Sequence, residues 1–473
     1  MSDFAKDLFA RTIAEPYRTK VVEKLRLPDR ADRERILKEA FYSPVRLSAS
    51  DVYVDMITDS GAGAMSDRQW AALMQGDEAY FNSRSFLAFE GAVREVMGFA
   101  EVIPVHQGRA AEKIIMELMV KPGDIVLSNT HFDTTKAHVE NRQALPVDLV
   151  GDWLWHFEEP RPFKGNFDLQ KLELALERYH ERVPLVIITV LNNFAGSSPV
   201  SMENIREVRR LADKHAIPVF FDASRFAENS YFIKTCEPGY EARSVADIAH
   251  EMLSYGHGCW MSAKKDALVN MGGFIATDDG DLAQRCREKV VLNEGFYTYG
   301  GLARRDLEAI AVGLREGIEE DYLAHRVRLV AYLGAQMQRA GAVVSEPVGG
   351  SGVFLDVEAM YPHLTPDMLP SVALCADMYL EGGVRVGAAP FPMNTVALPS
   401  AEIVERVFQF ARFAVPRRVY GKSHMDYVAG VVSRVKEKAR ANQGYRVTYK
   451  PQILGHFFSK FEPLSPGDAA GSL

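Results

Sequence analysis

The chain has 473 residues, of which 47% are hydrophobic and 25% are charged, and its formal net charge is −8 at pH 7. This length predicts more than one core, and the composition is that of an ordinary globular protein. The acidic balance, without a dense basic run, excludes nucleic-acid binding as the main role and favours a small-molecule partner. The four scattered cysteines lack CxxC spacing, and neither a signal-peptide pattern nor an apolar run of membrane-spanning length occurs. We therefore expect a cytoplasmic protein without disulfides and without a membrane partner.

Residues 51–299 alternate short β-rich runs with amphipathic helical segments, which is typical of an α/β fold with a parallel sheet. The most apolar runs, DIVLSN (124–129), LVIITVLN (185–192) and IPVFFDAS (217–224), predict strands that are buried on both faces. Helical spacing in residues 201–216 joins the second run to the third as a βαβ unit. We therefore expect a ligand at the carboxyl ends of these strands.

The sequence after about residue 303 changes to long amphipathic helices followed by a Pro-rich stretch, which predicts a second, smaller domain. The N-terminal segment is expected to join that domain. The last residues are small, polar and rich in Pro and Gly, which predicts disorder. The predicted division is an N-terminal arm with part of the small domain (1–55), a large domain (56–305), a small C-terminal domain (306–460) and a disordered tail (461–473).

Two adjacent lysines lie in the segment CWMSAKKDALVNMGG (259–273), where the apolar residues that follow Lys265 would desolvate its amine. A desolvated lysine is a nucleophile towards carbonyl compounds, and a solvated surface pair is the alternative interpretation. Asp222 ends a predicted buried strand, where its carboxylate either holds a pyridinium nitrogen protonated or caps a helix. Gln107 and Gly108 turn into a helix whose free N–H groups suit a phosphate.

A wider resemblance is carried by seven segments in this order: TDSGAGAMSDRQW, GDEAY, PVHQGRAAE, DASRFAENSYFIK, MSAKKDALVNMGG, GFYTYGGLARRDLEA and PRRVYGKSHMD. They resemble the tryptophanase and tyrosine phenol-lyase family of pyridoxal 5′-phosphate (PLP) enzymes over nearly the whole chain. The resemblance implies the aminotransferase-like fold of PLP enzymes (fold type I), with a mainly parallel sheet in the large domain and a smaller α+β domain. It also implies a homotetramer, a dimer of dimers with each active site at a subunit boundary.

The resemblance implies that Lys265, with Lys264 as its neighbour, carries PLP as an internal aldimine and removes the Cα proton of the amino acid. A quinonoid intermediate would then form, the Cβ substituent would leave, and pyruvate and ammonia would follow. Phe132 alone also suits an ordinary core position. The implied cofactor contacts are Gln107, Gly108, Arg109 and Ser262 at the phosphate, Phe132 on the ring, Asp222 at the pyridine nitrogen, and Asn193 and Arg225 near the ring oxygen.

On the substrate side, the resemblance implies that Arg417 grips the α-carboxylate, a role that suits the planar guanidinium group. Thr58 and Ser60 would line the substrate, although both residues also cap helices well. Tyr80 would protonate the leaving group in a site shared between subunits. Substrate recognition is therefore expected to combine residues from distant parts of the sequence.

The resemblance further implies a monovalent-cation site, occupied by an ion such as K⁺, that is formed by Glu78 with the carbonyl groups of Gly61 and Asn270. A surface position for Glu78 is the structural alternative. A catalytic zinc is not expected, because His250 and His257 are seven positions apart and lack the i, i+4 spacing of a zinc-binding helix.

The identity of the substrate is ambiguous in the sequence. Asp133 and His456 match tryptophanase and are further candidate catalytic residues, which favours release of indole. Ala389 stands where the phenol-lyase relies on an arginine, so phenol recognition is expected to be lost. Ala388 replaces a glutamate that both branches keep, in a segment expected to be a shortened, apolar, substrate-facing loop. Phe81 replaces a small residue and would reduce the space for a bicyclic ring.

Two enzyme interpretations therefore stay open. One is release of indole from tryptophan; the other is β- or γ-elimination from a non-aromatic amino acid of specialised metabolism, such as a halogenated or unsaturated aliphatic one. An aminotransferase and a PLP-fold protein that binds without turnover are further alternatives. The presence of Lys265, Asp222, Arg225 and Arg417 at matching positions favours an enzyme over a protein that binds without turnover.

Overall fold

The computed structural model describes residues 14–451 and 455–465. The strands are β1 (Val54–Met56), β2 (Glu101–Val105), β3 (Ile125–Ser128), β4 (Leu145–Asp148), β5 (Val186–Thr189), β6 (Val219–Asp222), β7 (Gly258–Ser262), β8 (Gly273–Thr277), β9 (Gly352–Leu355), β10 (Val384–Val396), β11 (Ile403–Ala414), β12 (Tyr445–Tyr449) and β13 (Lys460–Pro463). The helices are α1 (Arg30–Glu39), α2 (Asp67–Gln75), α3 (Arg84–Met97), α4 (Gly108–Met119), α5 (Asp133–Asn141), α6 (Leu169–Tyr179), α7 (Met202–Asp213), α8 (Phe226–Cys236), α9 (Val245–Ser254), α10 (Gly280–Asn293), α11 (Arg304–Gly317), α12 (Glu320–Arg339), α13 (Val357–Met360), α14 (Pro370–Gly382), α15 (Lys422–Lys438) and α16 (Gly455–Phe458).

The large sheet has the strand order β2-β8-β7-β6-β5-β3-β4. Pairing is parallel from β7 through β6, β5 and β3 to β4, and antiparallel where β8 joins β7 and β2. The three apolar runs of the sequence form β3, β5 and β6, and every residue of these strands is buried. Phe220 and Phe221 point into different hydrophobic clusters because helices cover both faces of the sheet. The predicted α/β fold with a mainly parallel sheet is confirmed.

The predicted crossover helix between β5 and β6 is α7. Ser201 caps it by accepting a hydrogen bond from the Asn204 N–H group at 3.2 Å, and the residues at helical spacing are buried against the sheet. The local sequence therefore specifies both the start of this helix and the face that it buries.

A smaller sheet has the order β1-β10-β11-β9, with β1 parallel to β10 and the other pairs antiparallel. Its core joins residues 37–56 to residues from the C-terminal third of the chain. The segment expected to be a shortened loop is instead strand β10, which pairs with β11 from Gly387↔Arg412 to Val396↔Ile403. The long hairpin reaches the large sheet, where the Asn394 side chain donates a hydrogen bond to the Pro146 carbonyl at 3.1 Å.

The C-terminal boundary differs from the prediction. Strand β13 pairs antiparallel with β12, from Tyr445↔Pro463 to Tyr449↔Lys460. The predicted disordered tail therefore begins too early at residue 461, because backbone pairing carries the ordered chain to at least Pro463. In the described part of the chain, no helix is long and apolar enough to cross a membrane.

Replacing Ile205 by Ala tests the packing of α7. Ile205 is fully buried, so its loss should lower the free energy of unfolding by about 2 to 5 kcal/mol through lost burial and a residual cavity. The measurement is the midpoint of urea denaturation. The exposed Arg210 of the same helix gives the control, since Arg210→Ala should change stability by only about 0.5 kcal/mol. Equal effects of the two substitutions would contradict this packing.

Candidate active site

The predicted functional residues converge at one edge of the large sheet. Strand β6 ends at Asp222 and β7 ends at Ser262, and these strands are parallel neighbours. The Ser262 N–H group donates a hydrogen bond to the Ser224 hydroxyl at 3.1 Å, which joins the segments that follow the two strands. Strand β2, which is antiparallel to β8 and therefore runs in the same direction as β7, also ends here, in the turn that leads to α4. The edge thus collects side chains from several crossovers, as expected for this fold class.

The turn before α4 is shaped to hold an anion. Helix α4 begins at Gly108, and the side chain of its N-cap residue, Gln107, makes no capping hydrogen bond. A Cβ atom on Gly108 would lie 2.7 Å from the Cβ atom of Ser262, so glycine is what lets the helix end approach β7. The free N–H groups and the helix dipole favour a phosphate at this position.

Lys265 lies buried beside Phe132, with its Nζ atom 5.5 Å from the centre of the aromatic ring. Burial, reinforced by Arg225, lowers the pKa of Lys265 to about 8, against the opposing pull of Asp222 and other carboxylates. A substantial fraction of the amine is therefore neutral near physiological pH, which a nucleophile and proton acceptor requires.

Lys264 lies on the other side of the same turn. Its carbonyl oxygen accepts a hydrogen bond from the Gly61 N–H group at 2.8 Å, and its side chain fills the space where a Gly61 Cβ atom would be. Burial, with Arg109 nearby, lowers the pKa of Lys264. The two lysines thus have different surroundings, and Lys265 is the one that contacts the predicted ring-stacking residue.

The surroundings of Lys265 fit PLP. Asp222 accepts a hydrogen bond from the Ser224 N–H group at 3.1 Å, which fixes its carboxylate at the strand end. Phe132 precedes α5 and packs against Phe194 with 6.2 Å between ring centres. In the described part of the chain, the buried Oδ1 atom of Asn193 has no hydrogen-bond partner, which suggests that a bound group completes the site. Amine, carboxylate, aromatic ring and anion-binding turn are the groups that this cofactor needs.

Asp59 is the centre of a buried charge cluster next to this site. Arg225 donates two hydrogen bonds to its carboxylate, at 3.0 and 2.8 Å. Arg412 donates one at 2.6 Å and Arg417 one at 2.9 Å. Burial alone would raise the pKa of Asp59, but the three guanidinium groups hold it well below its usual range. Asp59 is therefore an anion that ties three arginines together.

The far side of Arg417 is held by two further carboxylates. Its Nη2 atom lies 2.8 Å from an oxygen of Glu228 and 2.8 Å from an oxygen of Asp266. Burial, together with Glu228, raises the pKa of Asp266 to about 7, while Arg417 opposes the shift. Arg326 also donates to Glu228, at 3.0 Å. The predicted carboxylate-binding arginine is thus fixed in place before any substrate arrives.

Most of this cluster was not predicted from the sequence. Asp59 lies between the predicted residues Thr58 and Ser60, and Arg412 lies in the apolar segment FARFAV (410–415). A charged residue inside an apolar strand is a signal of a buried ion pair. Its partner, however, is 353 residues away along the chain and is visible only in the fold.

Glu112 is a second residue that the sequence did not single out. It is buried on α4, and the Thr134 hydroxyl donates a hydrogen bond to its carboxyl group at 2.5 Å. Burial, together with Asp222, raises the pKa of Glu112 to about 8. The contact links the phosphate-binding helix to the start of α5, where Asp133 follows Phe132. Glu112 is thus a mainly protonated carboxyl group behind the candidate cofactor site.

Several predicted residues lie on the surface of the single chain instead. Tyr80 and Phe81 are 53% and 65% exposed and pack against Phe296, with 5.6 and 5.1 Å between ring centres. Glu78 accepts hydrogen bonds from the N–H groups of Arg304 and Arg305 at the start of α11. Among the described residues, no hydrogen bond or ring contact joins Tyr80, Phe81 or Glu78 to Lys265.

The predicted cation ligands are separated in the same way. The Asn270 side chain donates hydrogen bonds to the carbonyl groups of Gly61 and Gly63, at 2.9 and 3.1 Å. Glu78 instead caps helix α11. In the described single chain, therefore, the Gly61 carbonyl is paired with Asn270, and Glu78 is engaged elsewhere.

The substrate-facing predictions have mixed outcomes. The Thr58 hydroxyl accepts a hydrogen bond from the Ser60 N–H group at 3.0 Å, so these residues form a tight turn around Asp59. Ala388 lies in strand β10 and not in a loop, where it pairs with Ala411 and packs against the core around the small sheet. The side chains of Ala389 and His456 lie outside what the structure describes.

Comparison with solved structures supports the fold. Threonine aldolase from Leishmania major superposes with a TM-score of 0.56 at 13% identity, covering 81% of this chain and 99% of that one. A chain of the SepCysS–SepCysE N-terminal domain complex superposes with a TM-score of 0.54 at 11% identity, covering 82% and 95%. At this identity the likeness concerns the fold alone. Fold and site together define a fold type I PLP enzyme.

The sequence comparisons identify the family. The beta-eliminating lyase family model matches residues 55–430. Tryptophanase from Salinibacter ruber is 46% identical over 96% of this chain and 96% of its own length. Tyrosine phenol-lyase from Symbiobacterium thermophilum is 45% identical over 96% and 100%. A probable tryptophanase from Aeropyrum pernix is 47% identical over 96% and 97%. The chain belongs to the beta-eliminating lyase family and is a PLP-dependent amino-acid lyase.

Replacing Glu112 by Gln tests the buried carboxyl group. An unfolded glutamate titrates at a pKa of about 4.3, whereas folded Glu112 titrates at about 8. As the pH rises between these values the unfolded chain releases the proton first, so the wild type loses stability. Glutamine still accepts from Thr134 but does not titrate. In cofactor-free protein, the urea midpoint of Glu112→Gln minus that of the wild type should therefore increase from about pH 5 to about pH 8.

A constant difference between the two midpoints at both pH values would contradict the shifted titration of Glu112. Glu117→Gln is the matched control for the change in net charge, because Glu117 lies on the same helix and pairs with Lys289 at 3.1 Å near the surface.

Proposed function

We propose that this chain releases the side chain of tryptophan as indole, with pyruvate and ammonia as the other products. The observation that carries the proposal is the buried Lys265 amine beside Phe132 and Asp222, next to an arginine cluster able to bind a carboxylate. Tryptophanases and tyrosine phenol-lyases match the chain about equally well, at 46% and 45% identity, so the choice of indole rests on residues that differ between the two branches. Asp133, which sets the sequence apart from the phenol-lyase branch, begins α5 directly after Phe132.

The proposed cofactor contacts follow the geometry of the sheet edge. The turn at Gln107 and Gly108, with Ser262 and Arg109, would hold the phosphate. Phe132 would stack on the ring, and Asn193, whose Oδ1 atom is unpaired in the described structure, would act near the ring oxygen with Arg225. Bound PLP supplies an electron sink for the carbanion at Cα.

Proton transfers are assigned to this chain's own side chains. Asp222 would hold a proton on the pyridine nitrogen, because its carboxylate is fixed at the end of β6. The neutral amine of Lys265 would take the proton from Cα. Arg417 would orient the amino acid through its carboxylate. Asp133, Tyr80 and His456 are the proposed donors to the leaving group.

A homotetramer is proposed because an aromatic patch is exposed on the single chain. Tyr80, Phe81 and Phe296 form it, and Leu292, 81% exposed on α10, lies at a pocket that Phe296 also lines. Large exposed apolar patches mark protein interfaces. A second copy of the chain over this patch would bring Tyr80 into a shared active site. In the same assembly, Glu78, Gly61 and Asn270 would meet at a K⁺ site. We also propose a cytoplasmic location for the protein.

Elimination from a smaller, halogenated or unsaturated aliphatic amino acid is the second candidate. The apolar side chains of Phe194, Phe354, Met393 and Phe410 cluster between the two sheets, with Phe132 packed against them. A wall of this kind suits an apolar side chain without a polar ring substituent. A halide leaving group would need no proton donor.

A product assay tests the function. The purified PLP-loaded enzyme should convert tryptophan to indole, pyruvate and ammonia in equal amounts. Lys265→Ala should lower kcat by about 10²-fold to 10⁴-fold, as expected when a general base is removed. Lys264→Ala, which alters the neighbouring amine, is the control and should keep more activity. Release of halide from 3-chloroalanine without indole from tryptophan would favour the second candidate, and no indole from tryptophan would refute the proposed activity.

Placing a charge in the aromatic patch tests the assembly. Leu292→Lys should reduce the tetramer to smaller species, because a buried unpaired charge opposes association. The measurement is molar mass by light scattering after gel filtration. Val447→Lys is the control, because Val447 is 44% exposed on β12, a different element. A tetramer that survives Leu292→Lys unchanged would place the interface elsewhere.

A further inference from the structure

We propose that Asp59 occupies the binding place of the substrate's α-carboxylate in the free enzyme, and that the incoming amino acid displaces it. The inference rests on the proposed function, in which Arg417 binds that carboxylate. It assigns a role to a residue that the family resemblance did not single out. Asp59 would be a positioning residue, because it acts through the arginines and not on the reacting atoms.

The hydrogen bonds of Arg417 show why displacement is needed. A guanidinium group has five N–H donors. In the structure, Nη1 of Arg417 lies 2.9 Å from the Asp59 carboxylate and 3.4 Å from the Asp59 carbonyl oxygen. Nη2 lies 2.8 Å from both Glu228 and Asp266. Only the buried Nε–H group lacks a partner within the described chain. A two-pronged grip on a new carboxylate therefore requires one protein carboxylate to leave.

Asp59 is the carboxylate whose contacts match those of a ligand. Its two oxygens receive four hydrogen bonds, from Arg225, Arg412 and Arg417. Four is the number that a carboxylate accepts at full coordination. Asp266 is held differently, because its other oxygen accepts the N–H groups of Ala227 and Glu228 at the start of α8. Asp59 alone combines full arginine coordination with a position in a turn.

The charge balance makes the exchange specific for an anion. Removal of Asp59 without replacement would leave buried arginines unpaired, which is strongly unfavourable. An amino-acid carboxylate replaces the lost charge with the same geometry, so the exchange keeps the cluster paired. Within the described residues, four guanidinium groups face three carboxyl groups: Arg225, Arg326, Arg412 and Arg417 against Asp59, Glu228 and Asp266.

The position of Asp59 links the exchange to the rest of the site. It lies in the turn formed by Thr58 and Ser60, which follows strand β1 of the small sheet. Arg225 belongs to the large domain, whereas Arg412 is on β11 of the small sheet. Departure of Asp59 would free Thr58 and Ser60 to contact the substrate in the role that the resemblance implies for them.

Acetate binding to the PLP-loaded enzyme tests the proposal. In the wild type, Asp59 blocks the arginines most of the time, so the apparent affinity for acetate is reduced by the open fraction. The Asp59→Ala variant should bind acetate about ten-fold or more tightly than the wild type, measured as the rise in melting temperature with acetate concentration. Acetate should also inhibit turnover by Asp59→Ala in competition with the amino acid.

Two results would overturn the proposal. One is a rise in the kcat of Asp59→Ala with acetate, without competition between acetate and the amino acid. That result would show that the Asp59 carboxylate stays on the arginines during turnover and only orients them. Equal acetate affinity of variant and wild type would show that Asp59 blocks nothing. Asp59→Ser, whose shorter side chain also vacates the place of the carboxylate, serves if the alanine variant does not fold, with the same expectations for acetate.

Asp55→Ala is the matched control. Asp55 lies shortly before Asp59 in the sequence. It also pairs with an arginine, but that arginine, Arg385, is outside the cluster. Its acetate affinity should equal that of the wild type. The melting-temperature readout does not depend on turnover, so an inactive wild type would refute the proposed function while the acetate result still decides the role of Asp59.

Discussion

Burial of charge at the junction of the two sheets is the constraint on which the site depends. Asp59 and its three arginines are nearly inaccessible to water, and each charge is tolerated only because its partners come from other elements. The same low-dielectric surroundings lower the pKa of the Lys265 amine. Structural ion pairs and chemical reactivity therefore share one cause.

The chemistry of the site follows from which elements end at this edge. Parallel strands deliver Asp222 and Ser262 to neighbouring positions, and glycine at residue 108 lets a helix end approach them. Phe132 and Lys265 complete a site that contains an amine, a carboxylate and an anion-binding turn. These are groups that a PLP-dependent lyase needs to hold its cofactor and to move a proton.

Local patterns predicted what depends on local structure. The importance of Lys265 came from the resemblance of the whole motif series, whereas the apolar runs that became β3, β5 and β6 and the cap at Ser201 were readable in the local sequence. Pairing between distant residues was not, so the contacts of Asp59 with Arg412 and of Glu112 with Thr134 appeared only in the structure. Segment 383–399 resembled a loop because it is rich in Pro and small residues, which are uncommon in strands. It forms a strand because it pairs with β11, the next strand along the chain. Tyr80 is exposed in the single chain, so its role depends on assembly.

The most direct test of the central claim is to find the lysine that holds the cofactor. The PLP-loaded enzyme is reduced with borohydride, which fixes the bond between lysine and cofactor, and is then digested and analysed by peptide mass spectrometry. A phosphopyridoxyl group is expected on Lys265. The same group on Lys264, or its absence from the segment that contains both lysines, would contradict the role of Lys265 as the cofactor-binding residue.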